Sequence, residues 1–223
     1  MNINDIKSLI PTEAYQTLNL EINELRPAQE KAINAGLLKG ENLLVCTPTA
    51  SGKTLIAELA ATKLILKDFR KAVYILPLKA LANEKFRDFK KRWGKLFKIA
   101  LSVGDSDSAD PYLANYDLIL ATPEKLDSLI RHHTPWLRDV GLVIIDEIHL
   151  LDDANRGPTL EILITILKSV LKSVQIVGLS ATIGNPEELG AWLEAKVIKD
   201  AWRPTALHKG VYLRGEIDFI KKE

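Results

Sequence analysis

Two short runs carry the chemistry open to this chain. Thr47-Pro-Thr-Ala-Ser-Gly-Lys-Thr54 follows one apolar, strand-like segment, and Asp146-Glu-Ile-His149 follows another. The small residues Thr49, Ala50, Ser51 and Gly52 allow a loop whose backbone N–H groups bend around a phosphate chain. Lys53 adds a point charge for the outer phosphates, and the Thr54 hydroxyl can coordinate Mg²⁺. Asp146 can hold the same metal from another strand end, and Glu147 can orient or deprotonate a water. Taken together, the runs spell a nucleotide-hydrolysing site. The first run alone also reads as a strand-turn-helix corner of small residues. The phosphate-loop pattern asks for Gly five positions before Gly52, and Thr47 stands there instead.

The elements that must position these residues are legible as an alternation. Short Val-, Ile- and Leu-rich runs at 42–46, 72–76, 99–102, 117–121, 142–145 and 174–179 lack polar alternation, as strands buried on both faces of a parallel sheet do. Helical patterns at 27–38, 53–66, 79–93, 123–131, 159–171 and 186–193 separate them. Asn185-Pro186 reads as an N-cap followed by proline at the first helical position. Strands alternating with crossover helices give an α/β, doubly wound domain with helices on both faces of the sheet. Its active loops lie at the carboxyl ends of the strands, where both runs fall.

Composition narrows the class. A chain of 223 residues holds one sizeable core. Its 47% hydrophobic and 26% charged residues are those of a globular domain. With a net charge of +1, any binding of nucleic acid must use a local surface rather than bulk attraction. No apolar run approaches the roughly 20 residues that span a bilayer, and there is no signal pattern, so a cytoplasmic protein is expected. The single cysteine, Cys46, cannot form an internal disulfide and reads as buried filler. Residues 1–24 are expected to form an N-terminal arm or helix. After Trp192 the periodicity weakens, and 204–223 reads as an exit segment toward something further.

With Ser180-Ala-Thr182 closing another buried strand, the set resembles the first motor domain of superfamily 2 helicases, and Asp146-Glu-Ile-His149 points to the Ski2-like branch. Leu25-Arg-Pro-Ala-Gln29, Leu76-Pro-Leu-Lys-Ala-Leu-Ala-Asn-Glu-Lys85, Ala121-Thr-Pro-Glu-Lys125, Arg156-Gly-Pro-Thr-Leu-Glu161 and Gly178-Leu-Ser-Ala-Thr182 are most similar to the archaeal Hjm-type DNA helicases, related to the helicase part of DNA polymerase theta. The resemblance covers residues 22–213, with its motifs in family order.

That resemblance implies a RecA-like P-loop NTPase domain over 25–203 using ATP and Mg²⁺. It implies that Gln29 reads the adenine edge, with Arg26 and Pro27 shaping the pocket. His149 would couple the ATP site to Ser180 and Thr182. Lys79, Gly104, Asp105, Thr122, Pro123 and Lys125 would contact the backbone of a single-stranded or forked DNA, with RNA as the alternative strand. The basic run Lys85, Arg87, Lys90, Lys91, Arg92, Lys95, Lys98 reads instead as a solvated helix face. Family members close ATP between two motor domains, and no second phosphate-loop pattern occurs here. A fragment with little activity alone is therefore expected, its missing second domain lying beyond the exit segment. A non-hydrolysing ATP-binding module is the remaining reading, against which Lys53, Asp146 and Glu147 argue.

Overall fold

The computed structural model describes residues 1–104, 109–171, 173–205, 210–213 and 215–219. Its centre is a sheet of seven strands: β1 Leu43–Cys46, β2 Lys71–Ile75, β3 Ile99–Ser102, β4 Leu118–Ala121, β5 Val140–Ile145, β6 Gln175–Ser180 and β7 Lys196–Lys199. They lie in the order β3-β4-β2-β5-β6-β1-β7, and every pairing is parallel. Parallel neighbours need a crossover, which the helices supply. These are α1 Thr12–Asn19, α2 Pro27–Asn34, α3 Lys53–Lys67, α4 Lys79–Trp93, α5 Pro123–Arg131, α6 Gly157–Val170 and α7 Pro186–Leu193.

The unbroken apolar runs are explained by the two cores. Side chains alternate across a strand. Leu43, Val45, Ala72, Tyr74, Leu118, Leu120, Leu142 and Ile144 enter the core under α1 to α4. Their neighbours Leu44, Cys46, Val73, Ile75, Ile119, Ala121, Val143 and Ile145 enter the core under α5, α6 and α7. Burial on both faces leaves no place for polar alternation. The parallel RecA-like sheet expected from the sequence is therefore what forms.

Three departures have physical causes. The helix expected over 27–38 ends at Asn34, because Gly36 adopts φ 108° and starts a separate 3-10 turn, Leu37–Lys39. Asn185 precedes α7, but its amide donates to Glu188 at 3.2 Å and its side chain makes no capping bond to the helix backbone. Three strands went unread. Strand β7, Lys-Val-Ile-Lys, pairs with β1 at the sheet edge, where lysines blunt the signal of a strand and protect the edge. Beyond it, β8 Gly210–Leu213 and β9 Glu216–Phe219 form a separate antiparallel hairpin within the expected exit segment.

The N-terminal segment is not peripheral. Ile3, Ile6, Ile10, Ala14 and Leu18 are buried in the same core as Leu43, Ile56 and Leu59. Main-chain bonds from Ile3 to Asn23 and from Leu25 to Met1, 3.0 and 2.9 Å, close the segment into a loop against that core. Leu18→Ala should therefore lower the unfolding free energy by about 2–5 kcal/mol, as large-to-small core changes do. Urea denaturation measures this, and an unchanged midpoint would return the segment to the status of an arm.

Candidate nucleotide-hydrolysis site

The strand order places β6 between β1 and β5. Neighbouring strands lie about 4.8 Å apart, so the carboxyl ends of β1 and β5 are separated by about 10 Å, a span that a phosphate chain and its metal can bridge. The loop after β1 is pinned at its base: Thr47 N–H continues the ladder to the Ser180 carbonyl at 3.2 Å, and the Thr47 and Ser51 hydroxyls bond each other at 2.7 Å. Threonine thus replaces the expected glycine with a cross-loop tie. Gly52 takes φ 94°, and a β-carbon there would lie 2.3 Å from Gln29 Nε2. Only glycine fits at this point.

Gln29 is the loop's other support. It is 3% exposed. Its side-chain oxygen accepts the Arg26 N–H at 2.8 Å, while its amide donates to the Gly52 carbonyl at 2.9 Å. Arg26 also donates to the Ala50 carbonyl, and its guanidinium lies over the Trp202 ring, 5.5 Å from the centroid. Arg26, Pro27 and Trp202 line an open cleft of about 560 Å³ with Met1, Glu30 and Lys31. Trp202 in this cleft was not read from the sequence, because nothing local ties it to Arg26.

Lys53 opens α3 with its ammonium folded back on the loop carbonyls of Thr47, 2.8 Å, and Pro48, 3.3 Å. Burial pulls this ammonium below the ordinary lysine value, against the carboxylates of Glu147 and Asp146, which favour its charged form. A phosphate chain would offer better acceptors than two carbonyls.

Across the cleft, Asp146 N–H bonds the Ile75 carbonyl at 2.9 Å, extending β5 past its last residue. Its Oδ1 accepts the Glu147 N–H at 3.1 Å. Glu147 sits at φ 49°, a left-handed conformation that costs a non-glycine residue about 1–2 kcal/mol and turns its side chain off the strand line. His149 Nδ1 lies 3.4 Å from Glu147 Oε2 and 3.4 Å from the Ala181 N–H. Nδ1 accepts the Ala181 N–H. The histidine, the glutamate and the Ser180–Thr182 segment are thus in one contact chain. Ser180 is buried, and Thr182 is exposed.

Can these residues hold Mg²⁺? No group of three or more His, Cys, Asp or Glu among the described residues is placed to hold a metal ion by itself. One hydroxyl and one carboxylate, Thr54 and Asp146, suit a hard ion that keeps water and phosphate oxygens as its other ligands. The donor set fits.

The expected strand contacts fare unevenly. Lys79 is exposed at the start of α4, and Gly104 lies two residues past the end of β3 at φ 140°. Asp105 lies outside the described residues. Thr122 and Pro123 are buried at the start of α5. Lys125 needs correcting: it is 3% exposed, and its ammonium pairs with Asp110 at 2.9 Å. Burial turns this lysine inward, so it anchors α5 rather than facing a strand. Part of the basic run also turns inward. Arg92 bonds buried Glu58 at 2.6 Å and Glu21 at 2.7 Å, and Lys85 bonds Thr54 at 2.9 Å. Helical spacing alone did not show which of these cations face the core.

Comparison with known proteins now decides the family. The DEAD/DEAH box helicase model matches residues 26–189. The chain belongs to that family. It is 57% identical over 195 residues to the ATP-dependent DNA helicase Hel308 of Pyrococcus abyssi, covering 87% of this chain and 27% of that protein. Against Hel308 of Methanocaldococcus jannaschii it is 52% identical over 209 residues, covering 91% and 17%. Among solved structures, the DUF1998 helicase MrfA bound to DNA matches with a TM-score of 0.73 and 27% identity, over 86% of this chain and 30% of that one. The chain therefore spans about a quarter of the length of curated relatives such as the first. Membership agrees with the Ski2-like resemblance read from the motifs, and it implies nucleotide use. No helix among the described residues is long and apolar enough to cross a membrane.

Gln29→Ala removes the strut under Gly52. The buried bond it breaks is worth about 1–3 kcal/mol, so nucleotide affinity should fall about tenfold. Titration with a fluorescent ATP analogue reads the change, and wild-type affinity would mean that the loop stands without this support.

Proposed function

We propose that the chain is the first motor domain of an ATP-dependent, 3′-to-5′ DNA helicase of repair or replication-fork restart. The observation that carries this reading is that the Lys53–Thr54 loop and Asp146–Glu147 follow the carboxyl ends of β1 and β5, near enough for both carboxylates to favour the charge on Lys53, with Glu147 joined through His149 to the Ser180–Thr182 segment. Both Hel308 relatives named above are ATP-dependent DNA helicases, which favours DNA over RNA as the strand. The motor domain runs over 25–203, with 1–24 supporting it and 204–223 leading toward a second motor domain. The protein acts in the cytoplasm.

In this reading the loop N–H groups and Lys53 bind the phosphates, Lys53 leaving the Thr47 and Pro48 carbonyls as they arrive. Thr54 and Asp146 hold Mg²⁺, which supplies charge neutralisation on the outer phosphates when bound. Glu147 orients the attacking water and accepts its proton. The adenine lies beside Gln29 and Arg26. A strand lies along the carboxyl edge, held by Lys79, Gly104, Asp105 and the start of α5, where backbone N–H groups rather than Lys125 supply the contact.

Two experiments test this. In the full-length protein, Lys53→Ala should abolish nucleotide binding, and Glu147→Gln should keep binding while lowering DNA-stimulated hydrolysis at least 100-fold, the lower range for general-base loss. Unchanged turnover in both variants would sink the assigned site; stimulation by RNA in place of DNA would move the protein to the RNA-acting branch. In this reading a second motor domain supplies arginines to the nucleotide held by the 223-residue chain, worth about 10³–10⁵ in rate in related hydrolases. Alone, the chain should hydrolyse ATP slower than the full-length protein by such a factor, and comparable DNA-stimulated rates would overturn the two-domain reading.

A further inference from the structure

Two side chains that no motif role absorbed touch the two residues proposed to hold Mg²⁺, and the inference rests on that reading of Thr54 and Asp146. Tyr74, fully buried on β2, donates its hydroxyl to Asp146 Oδ2 at 2.9 Å. Because Oδ1 already accepts the Glu147 N–H at 3.1 Å, the carboxylate is oriented through both oxygens and cannot rotate freely. The Tyr74 ring stands edge-on to Phe89 of α4, with centroids 5.6 Å apart.

Four residues earlier on α4, and so on the same face of that helix, Lys85 donates to Thr54 Oγ1 at 2.9 Å. A metal ligated by this hydroxyl would approach within about 2.1 Å of the oxygen. An ammonium hydrogen-bonded to the same atom competes for its lone pairs and repels the dication. One turn along α3, the buried carboxylate of Glu58 lies within electrostatic reach of Lys85 and offers it an alternative partner.

We propose that α4 governs metal loading through these two contacts. Tyr74, wedged by Phe89, is a positioning residue that holds Asp146 in its metal-facing orientation, and Lys85 keeps the Thr54 hydroxyl until the metal displaces it. The helix that begins at Lys79, at the expected strand-binding end, thereby carries one control, Lys85, and the ring that packs against the other, Phe89 on Tyr74. A shift of α4 on strand binding would move Phe89 and Lys85 together.

The test is a titration of the 223-residue chain with a fluorescent ATP analogue across a Mg²⁺ series and in EDTA, with thermal melting alongside. Loss of an outer-shell partner lowers metal affinity about 10–100-fold. Tyr74→Phe should raise the Mg²⁺ midpoint by such a factor while leaving metal-free affinity unchanged. Lys85→Met should lower the midpoint several-fold, the opposite sign. Lys53→Ala serves as the control for the site itself. If it fails to abolish binding, the nucleotide-site reading falls, and this inference with it. If it abolishes binding while either other variant leaves the Mg²⁺ midpoint unmoved, the control by α4 alone is overturned. Equal losses with and without metal in Tyr74→Phe would also overturn it, since a merely structural tyrosine predicts them.

Discussion

Parallel pairing of β1 with β6, and of β6 with β5, is the constraint on which the rest depends. It sets the two nucleotide runs, almost a hundred residues apart in the chain, two strand spacings apart on one edge. Because every pairing is parallel, all seven carboxyl ends point to that edge, and the loops that carry Lys53, Lys79, Thr122, Asp146 and Ser180 must share it. Parallel strands demand crossovers, and these cover both faces of the sheet. Burial on both faces in turn demands the unbroken apolar runs. One topological choice therefore explains composition, layering and the place of the site.

Around that edge the structure holds several groups away from their lowest-energy surroundings. Lys53 is half-buried, its ammonium bonded to carbonyls that a phosphate can replace. Glu147 occupies left-handed backbone space, and Gly52 does so where a side chain would collide with Gln29. Such strain persists only where surrounding contacts over-determine it. Here they do: Thr47 ties Ser51, Gln29 ties Gly52, and Asp146 ties the Glu147 N–H. The site is built before its ligand arrives, which reduces the ordering that binding must pay for.

The N-terminal segment and α4 show how a support can lie far from the motif it serves. Glu21, just after α1, and Glu58 on α3 both bond Arg92 of α4, joining three elements of one layer through a single guanidinium. Glu58 is buried, and burial raises its pKa while Arg92 opposes the rise. Removing the arginine would leave a carboxylate without its counter-charge, so this junction fixes the seating of α4 as firmly as apolar packing does.

Residue order alone determined the alternation of strands and helices and the exact span of α4 and α5. It also marked the loop and Asp146–Glu147 as the candidate site. These signals are local: hydrophobic period, proline at a helix start, and small residues before Lys53. Tertiary structure decided what depends on partners distant in sequence. It turned Lys125 inward to Asp110 and Lys85 to Thr54, and set Tyr74 beneath Asp146, 72 residues away. It placed Trp202 against Arg26 and drew β7, too short and charged to announce itself, onto the sheet edge. A cation's period along a helix says which face it occupies. Whether that face meets solvent, a carboxylate or a metal ligand is set by the neighbouring element, and only the folded chain specifies which element that is.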